Sequence, residues 1–312
     1  MSSSGRAHEN GGAGSSSGSG TTVRKGELQD LKEGLHSSSN KARRDALRKT
    51  IAAMTVGKDV SSLFADVLQC TQTPSVELKK LVYLYLVHYA AAKPELTILI
   101  VNTLLRDAAE ENPLLRALAL RTMASMRVDR MAEYLVEPLH RALSTPDAYV
   151  RKTAALCVAK MYDTNPSLTV EEGFLDNLTD LLNDDNATVV VNAVAALAEI
   201  SESRPGALSL TPESVRSYMS ALGECTEWGQ VTVMDALADY APANAAEADD
   251  LVEHVLPRLQ HANAAVVLAA VRLLLQLLVV VGRGGSAAER MTFVYRKMAS
   301  PLLTLLSAKP EM

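Results

Sequence analysis

The stretch Asp147–Met161, DAYVRKTAALCVAKM, decides how the chain reads. It opens on an aspartate, a good helix N-cap because its carboxylate accepts a free backbone N–H of the first turn. Val150, Ala154, Cys157 and Met161 then recur at three- and four-residue spacing, which places them on one helical face beside Ala155 and Val158. The phrase returns along the chain. SNKARRDALRKTIAAM begins at Ser39, SVELKKLVYLYLVHY at Ser75, NPLLRALALRTMASM at Asn112, NATVVVNAVAALAEI at Asn186, TEWGQVTVMDALADY at Thr226 and NAAVVLAAVRLLLQL at Asn263. Successive starts lie 36, 37, 35, 39, 40 and 37 residues apart, and each opens on Ser, Asn, Asp or Thr.

A second apolar helical run precedes the copies: LFADVLQC, LTILIVNTLLRD, MAEYLVEPLHRAL, FLDNLTDLL, SVRSYMSALGE and LVEHVLPRLQ. One period is therefore two antiparallel helices joined by a short turn. A single pair exposes a wide apolar face, and stacking buries each face on the next pair. The period and its build read as HEAT or armadillo repeats. EPLHRALSTPDAYVRKTAALCVAKM resembles the HEAT consensus, with Pro138 in the first helix and Asp147, Val150 and Arg151 opening the second. The expected fold is all-α: a right-handed α-solenoid of HEAT/armadillo-like antiparallel helix pairs, about seven repeats, over residues 23–312.

Composition agrees. Of 312 residues 48% are hydrophobic but only 4% aromatic, so the core must be Leu, Val, Ala, Ile and Met, as in packed helices. Residues 1–22, MSSSGRAHENGGAGSSSGSGTT, are Ser/Gly-rich and are expected to be a flexible tail. The start of the chain has no apolar run of the signal-peptide kind. Three widely spaced cysteines, Cys70, Cys157 and Cys225, suit a reducing compartment better than a disulfide scaffold. Val266–Val281 is the most membrane-like stretch, yet it is short and carries Arg272 and Gln276, so it reads as a buried helix.

Enzymatic signatures are missing. There is no P-loop, GxGxxG or HExxH, and the one GxSxG match lies in the Ser/Gly tail. GRGG at 282–285 reads as a helix-ending turn. His254 and His261 have no third ligand at metal spacing, so neither a metal nor a cofactor is expected. Two strings mimic sorting signals, EENPLL from Glu110 and YLYL from Tyr83, but both fall on repeat helices and are expected to face the core. The lone tryptophan, Trp228, is expected to fill the gap between neighbouring pairs.

Charge is uneven. From Arg24 to Lys58 nine basic residues stand against four acidic ones, whereas Asp163–Gln260 holds eighteen acids against Arg204, Arg216 and Arg258. The basic cluster of Arg24, Lys25, Lys41, Arg43, Arg44, Arg48 and Lys49 falls on the first helices, and basic residues also head later copies at Lys79, Lys80, Arg116, Arg151 and Lys152. The plain reading is a solvated face. The functional one is attraction to anionic lipid, worth about 1 kcal/mol per cation near the surface. Nucleic acid fits poorly, given the acidic second half and few aromatics for stacking.

RKGELQDLKEGL, MTVGKDVSSLF, ELKKLVYLYLVHYA, NPLLRALALRTM, YVRKTAALCVAKMYD, ECTEWGQ and LPRLQHANAAVVLAAV together resemble the N-terminal trunk of beta-adaptins, from about Val23 onward. These are large subunits of the heterotetrameric adaptor complexes of clathrin coats. The resemblance implies a non-catalytic scaffold in vesicle transport, peripheral on coated membranes of the trans-Golgi, endosome or plasma membrane. Its implied partners are the medium and small adaptor subunits, a second large adaptin and an anionic phosphoinositide surface. It carries a phosphoinositide-contacting patch onto Arg24, Lys25, Arg43 and Lys49, with Lys41 and Arg44 adjacent, and an ARF-family GTPase contact onto Ile98 and Val101. Clathrin would bind only through a hinge beyond this sequence, and the chain ends about where the family begins another repeat. The rival reading of the architecture alone is a soluble HEAT-repeat carrier or phosphatase scaffold.

Overall fold

The computed structural model describes residues 24–90, 94–282 and 287–307; the tail at 1–22 and residues 283–285 of the GRGG run lie outside the described residues. Among the described residues every regular element is a helix. They fall into two compact units, one ending at Leu86 and one starting at Val87.

The first unit holds α1 (Lys25–Leu35), α2 (Asn40–Thr55), α3 (Phe64–Gln69), which continues a 3₁₀ turn, and the first part of α4 (Val76–Ala90). Helices α1 and α2 run antiparallel: Glu27, near the start of α1, bonds Lys58 past the end of α2, while Gly34, near the end of α1, meets Ala46 in the first half of α2. A Cβ on Gly34 would come within 2.8 Å of the Ala46 Cβ, so glycine is what lets the two backbones approach. Gly57, at φ +80°, turns the chain out of α2. Leu31, Leu35, Leu47, Val60, Phe64, Val67 and Tyr85 form the core, and the buried Tyr85 hydroxyl donates to the Val60 carbonyl at 2.7 Å.

The second unit takes up the end of α4 and continues with α5 (Pro94–Ala108), α6 (Pro113–Ser125), α7 (Asp129–Leu143), α8 (Ala148–Thr164), α9 (Pro166–Glu171), α10 (Phe174–Asp180) and α11 (Ala187–Ser203). It ends with α12 (Pro212–Ala221), α13 (Glu227–Leu237), α14 (Ala245–Val255), α15 (Ala264–Val281) and α16 (Ala287–Ser307). Helices α6, α8, α11, α13 and α15, the ones carrying the recurring phrase, pack each on the next as one layer. Their partners α7, α10, α12 and α14 pack against them from the other layer. That is the α-solenoid arrangement of helix pairs.

The caps explain the register. Ser39, Ser75, Asn112, Asp147, Asn186, Thr226 and Asn263 each accept a backbone N–H from two or three residues ahead, satisfying donors that the first turn leaves free. Val150, Ala154, Ala155, Cys157, Val158 and Met161 are all buried, as the spacing predicts. Burial pushes the Cys157 thiol up to about 12, so it is a packing group and not a nucleophile at neutral pH. Helix α15 is long and apolar enough to cross a membrane by length and composition, yet it packs between α13, α14 and α16, and Val266, Ala270, Leu274 and Leu278 sit in the core.

Three expectations change. Trp228 fills no gap: its side chain is 69% exposed, because it occupies the outward position next to the Thr226 cap. In YLYL the tyrosines Tyr83 and Tyr85 are buried as expected, but Leu84 points out. In EENPLL only Leu115 is buried and Leu114 is half-exposed. Each departure has one cause: a single helix turn holds both core and outer positions, and one residue of rotation separates them.

Candidate functional site

The cationic residues of the first unit divide by helix end. Arg24 stands just before α1 and Lys25 is its first residue, both exposed. Helix α1 is 11 residues long, so about 16 Å separates that end from the start of α2, where Lys41, Arg43 and Arg44 lie. Lys49 sits two turns further along α2. The six predicted positions are thus not one pocket but two clusters on neighbouring helices, bridged by Lys49.

Helical geometry sorts the side chains of α2. Lys41, Arg44, Arg48 and Lys49 fall on its outer half, whereas Arg43 falls on the side of Leu47 and Thr50, which are fully buried. Arg43 therefore lies half-buried and donates to the Asn40 side chain. Arg44 and Arg48 converge on Glu77 of α4, at 3.3 and 2.8 Å, which offsets part of their charge. The Nε atoms of Arg43 and Arg44 are buried without a hydrogen-bond partner. Lys25, Lys41 and Lys49 make no ion pair among the described residues. Lys49 lines a groove of about 620 Å³ between α1 and α2, with Leu31, Ala46 and Ala53 as its floor and Glu27, Asp30 and Lys58 at its rim.

Lys58 is the cation that sequence reading left out of the site. It follows the Gly57 turn and pairs with Glu27 at 2.9 Å, so it joins the α1 end of the surface. The signal for it was present in the TVGKD string, whose glycine ends α2. Conversely, the basic residues heading later repeats do not extend the surface as a row. Lys79 is buried, Arg116 is half-buried, and Arg151 is committed to an ion pair.

That ion pair is the best-formed one among the described residues. Arg151 donates from Nε and Nη2 to the two carboxylate oxygens of Asp184, at 2.7 and 2.9 Å, and from Nη1 to the carbonyls of Thr145 and Pro146. The pairing holds the Asp184 carboxyl below its usual range and raises the guanidinium further. It joins one repeat to the next.

On α5, Ile98 is half-exposed as a contact residue needs, but Val101 is only 5% exposed and belongs to the core. The exposed neighbour of Ile98 is Leu99, at 60%. Among the described residues no three His, Cys, Asp or Glu side chains gather closely enough to hold a metal.

The sequence family described as the adaptin N terminal region matches residues 23–312. The chain is 51% identical over 294 residues to AP-1 complex subunit beta-1 of Mus musculus, a match covering 94% of this chain and 31% of that protein. It is 44% identical over 291 residues to AP-1 complex subunit beta-1 of Saccharomyces cerevisiae, covering 92% of this chain and 39% of the relative. The chain thus spans about a third of the length of these relatives. In structure it is similar to a chain of a homology model of the full-length AP-3 complex in an intermediate open conformation. The TM-score is 0.63 at 22% identity, covering 91% of this chain and 50% of the other, a likeness of fold. With the repeats, the caps and TVGKDVS and ECTEWGQ in place, the chain belongs to the adaptin N-terminal region family.

Proposed function

We propose that this chain is a non-catalytic scaffold, part of the trunk of a beta-type large subunit in a clathrin adaptor complex. It serves vesicle-mediated transport by holding partner subunits and docking on anionic cytosolic membrane. One observation carries the docking step: the exposed Lys25, Lys41 and Lys49 lack carboxylate partners among the described residues, on a unit where cations outnumber acids. A phosphorylated headgroup supplies acceptors for these exposed ammonium donors. The stacked repeats of the second unit supply surface for the medium and small subunits and the second large adaptin. The exposed Ile98 and Leu99 pair on α5 is the apolar spot on which a small GTPase would pack.

Flotation with phosphoinositide-containing liposomes tests the docking step. Lys41→Glu combined with Lys49→Glu should lower recovery at least about tenfold, since each cation contributes about 1 kcal/mol. Raised salt should weaken the wild type in the same direction. Recovery unchanged by the double reversal would end the lipid reading. For the assembly step, co-purification of medium and small adaptor subunits with the chain is expected, and capture of a phosphatase catalytic subunit in their place would favour the rival scaffold.

A further inference from the structure

The Arg151–Asp184 staple has a counterpart one repeat earlier that lacks its acid. Arg151 stands four residues after the cap Asp147, and Asp184 stands two residues before the next cap, Asn186. In the same register Arg116 stands four residues after the cap Asn112, and the residue two before the next cap, Asp147, is Thr145. Helix α6 packs on α8 as α8 packs on α11, so the two junctions are built alike. Where Asp184 offers a carboxylate, Thr145 offers only a hydroxyl.

The consequence is visible in the packing. Arg116, Arg141, Thr145 and Pro138 line a cavity of about 110 Å³ at this junction. The Nε of Arg116 is buried and bonds nothing, and Arg116 has no ion pair among the described residues. Arg141 is tied only to Glu137, at 3.4 Å on the helix surface. Two arginines therefore line one small cavity together with Thr145, a threonine followed by proline. Ser144 and Pro146 of that connection are exposed and Thr145 is half-exposed. Arg151 grips the segment through the carbonyls of Thr145 and Pro146, which leaves the Thr145 side chain unengaged by that grip.

We propose that Thr145 is a phosphorylation site for a proline-directed protein kinase, and that its phosphate completes the α6–α8 junction by pairing with Arg116 and Arg141. In the transfer, the Thr145 hydroxyl oxygen attacks the γ-phosphorus of ATP bound to the kinase. The new P–O bond forms as the bond to the ADP leaving group breaks, and the hydroxyl proton passes to the kinase's catalytic carboxylate. The product carries nearly two negative charges and three strong acceptor oxygens, a set that two arginines can share. Thr73 before Pro74 stands in the same register relative to Arg43, but it is buried and its hydroxyl accepts the Ser75 N–H, so it is closed to a kinase. The proposal rests on neither the lipid nor the subunit reading.

The test treats the full chain with a proline-directed kinase and ATP, maps the modified residue by mass spectrometry, and compares melting temperatures. One phosphoryl group on Thr145 is expected, with Tm raised by about 2–4 °C. Thr145→Asp should reproduce part of the rise, and Arg116→Met should abolish it. Phosphate found only on Ser144 or nowhere, or a Tm change indifferent to Arg116, overturns the proposal. Should Arg116→Met fail to fold, phosphorus NMR of the modified wild type decides. Its second pKa should fall below the usual value of about 6, and a value at or above that sinks the idea.

Discussion

Helices α2 and α11 hold the same place in their repeats and differ on the outside. Both open on a cap, Ser39 and Asn186, and both bury the same positions after it: Ala46, Leu47, Thr50 and Ala53 in one, Ala193, Val194, Leu197 and Ile200 in the other. Their remaining positions diverge. Where α2 places Lys41, Arg44, Arg48 and Lys49, α11 places Thr188, Val191, Ala195 and Ala196. Helix α11 packs between α8 and α13, so Val191 and Ala196 are buried as well. The difference teaches that the inner row is fixed by stacking, while the outer row of α2 carries charge, with Arg44 and Arg48 meeting Glu77 of α4 and Lys41 and Lys49 exposed.

The comparison can be broken or sharpened in order of effect. Leu197→Ala should destabilise the second unit by about 4 kcal/mol in urea unfolding, since a buried leucine leaves a cavity that stacked helices cannot close. A cost under about 1 kcal/mol would mean that the inner row does not carry the stacking. Arg151→Ala should cost about 3 kcal/mol, because it strands the Asp184 carboxylate, which is only 8% exposed, without its partner.

The same pair sets a pH dependence. Arg151 lowers the folded-state pKa of Asp184, so the folded chain binds that proton less readily than the unfolded one. Its stabilisation is fully present above the unfolded value of about 4 and is lost as pH falls through the depressed folded value. Asp184→Asn should therefore flatten the acid limb of Tm against pH, and an unaltered limb would remove the pair from the account.

In the first unit, Gly34→Ala should cost about 1–2 kcal/mol, because its new Cβ meets Ala46 across the helix pair. The smallest effect belongs to the outer row. Lys41→Ala should change stability by less than about 0.5 kcal/mol while reducing liposome recovery. A large thermal shift there would show that the charge holds the fold and is not free for a ligand.

Much of the fold was legible because its signals are local. The cap hydroxyls, amides and carboxylates act within one turn, and the apolar spacing follows from 3.6 residues per turn, so all seven caps and the buried row could be read from the string. The helix preceding each phrase was legible for the same reason. Trp228 departs from expectation because size and hydrophobicity suggest burial, whereas its position beside the cap turns it outward. Val101 was placed on a contact surface through resemblance, and its helical phase puts it in the core. The cationic character of the first unit was evident from residue counts, but its division was not.

By itself the sequence determined the repeat, its length, its caps and which row of each helix would be buried, since these depend on neighbours within a few residues. Only the tertiary structure decided what faces what. It set Glu77 against Arg44 and Arg48, kept Arg24 and Lys25 a helix length from Lys41, and gave Arg151 a carboxylate while leaving Arg116 a threonine. Those pairings join side chains some 30 residues apart, and their energies depend on distance and burial that no local pattern encodes.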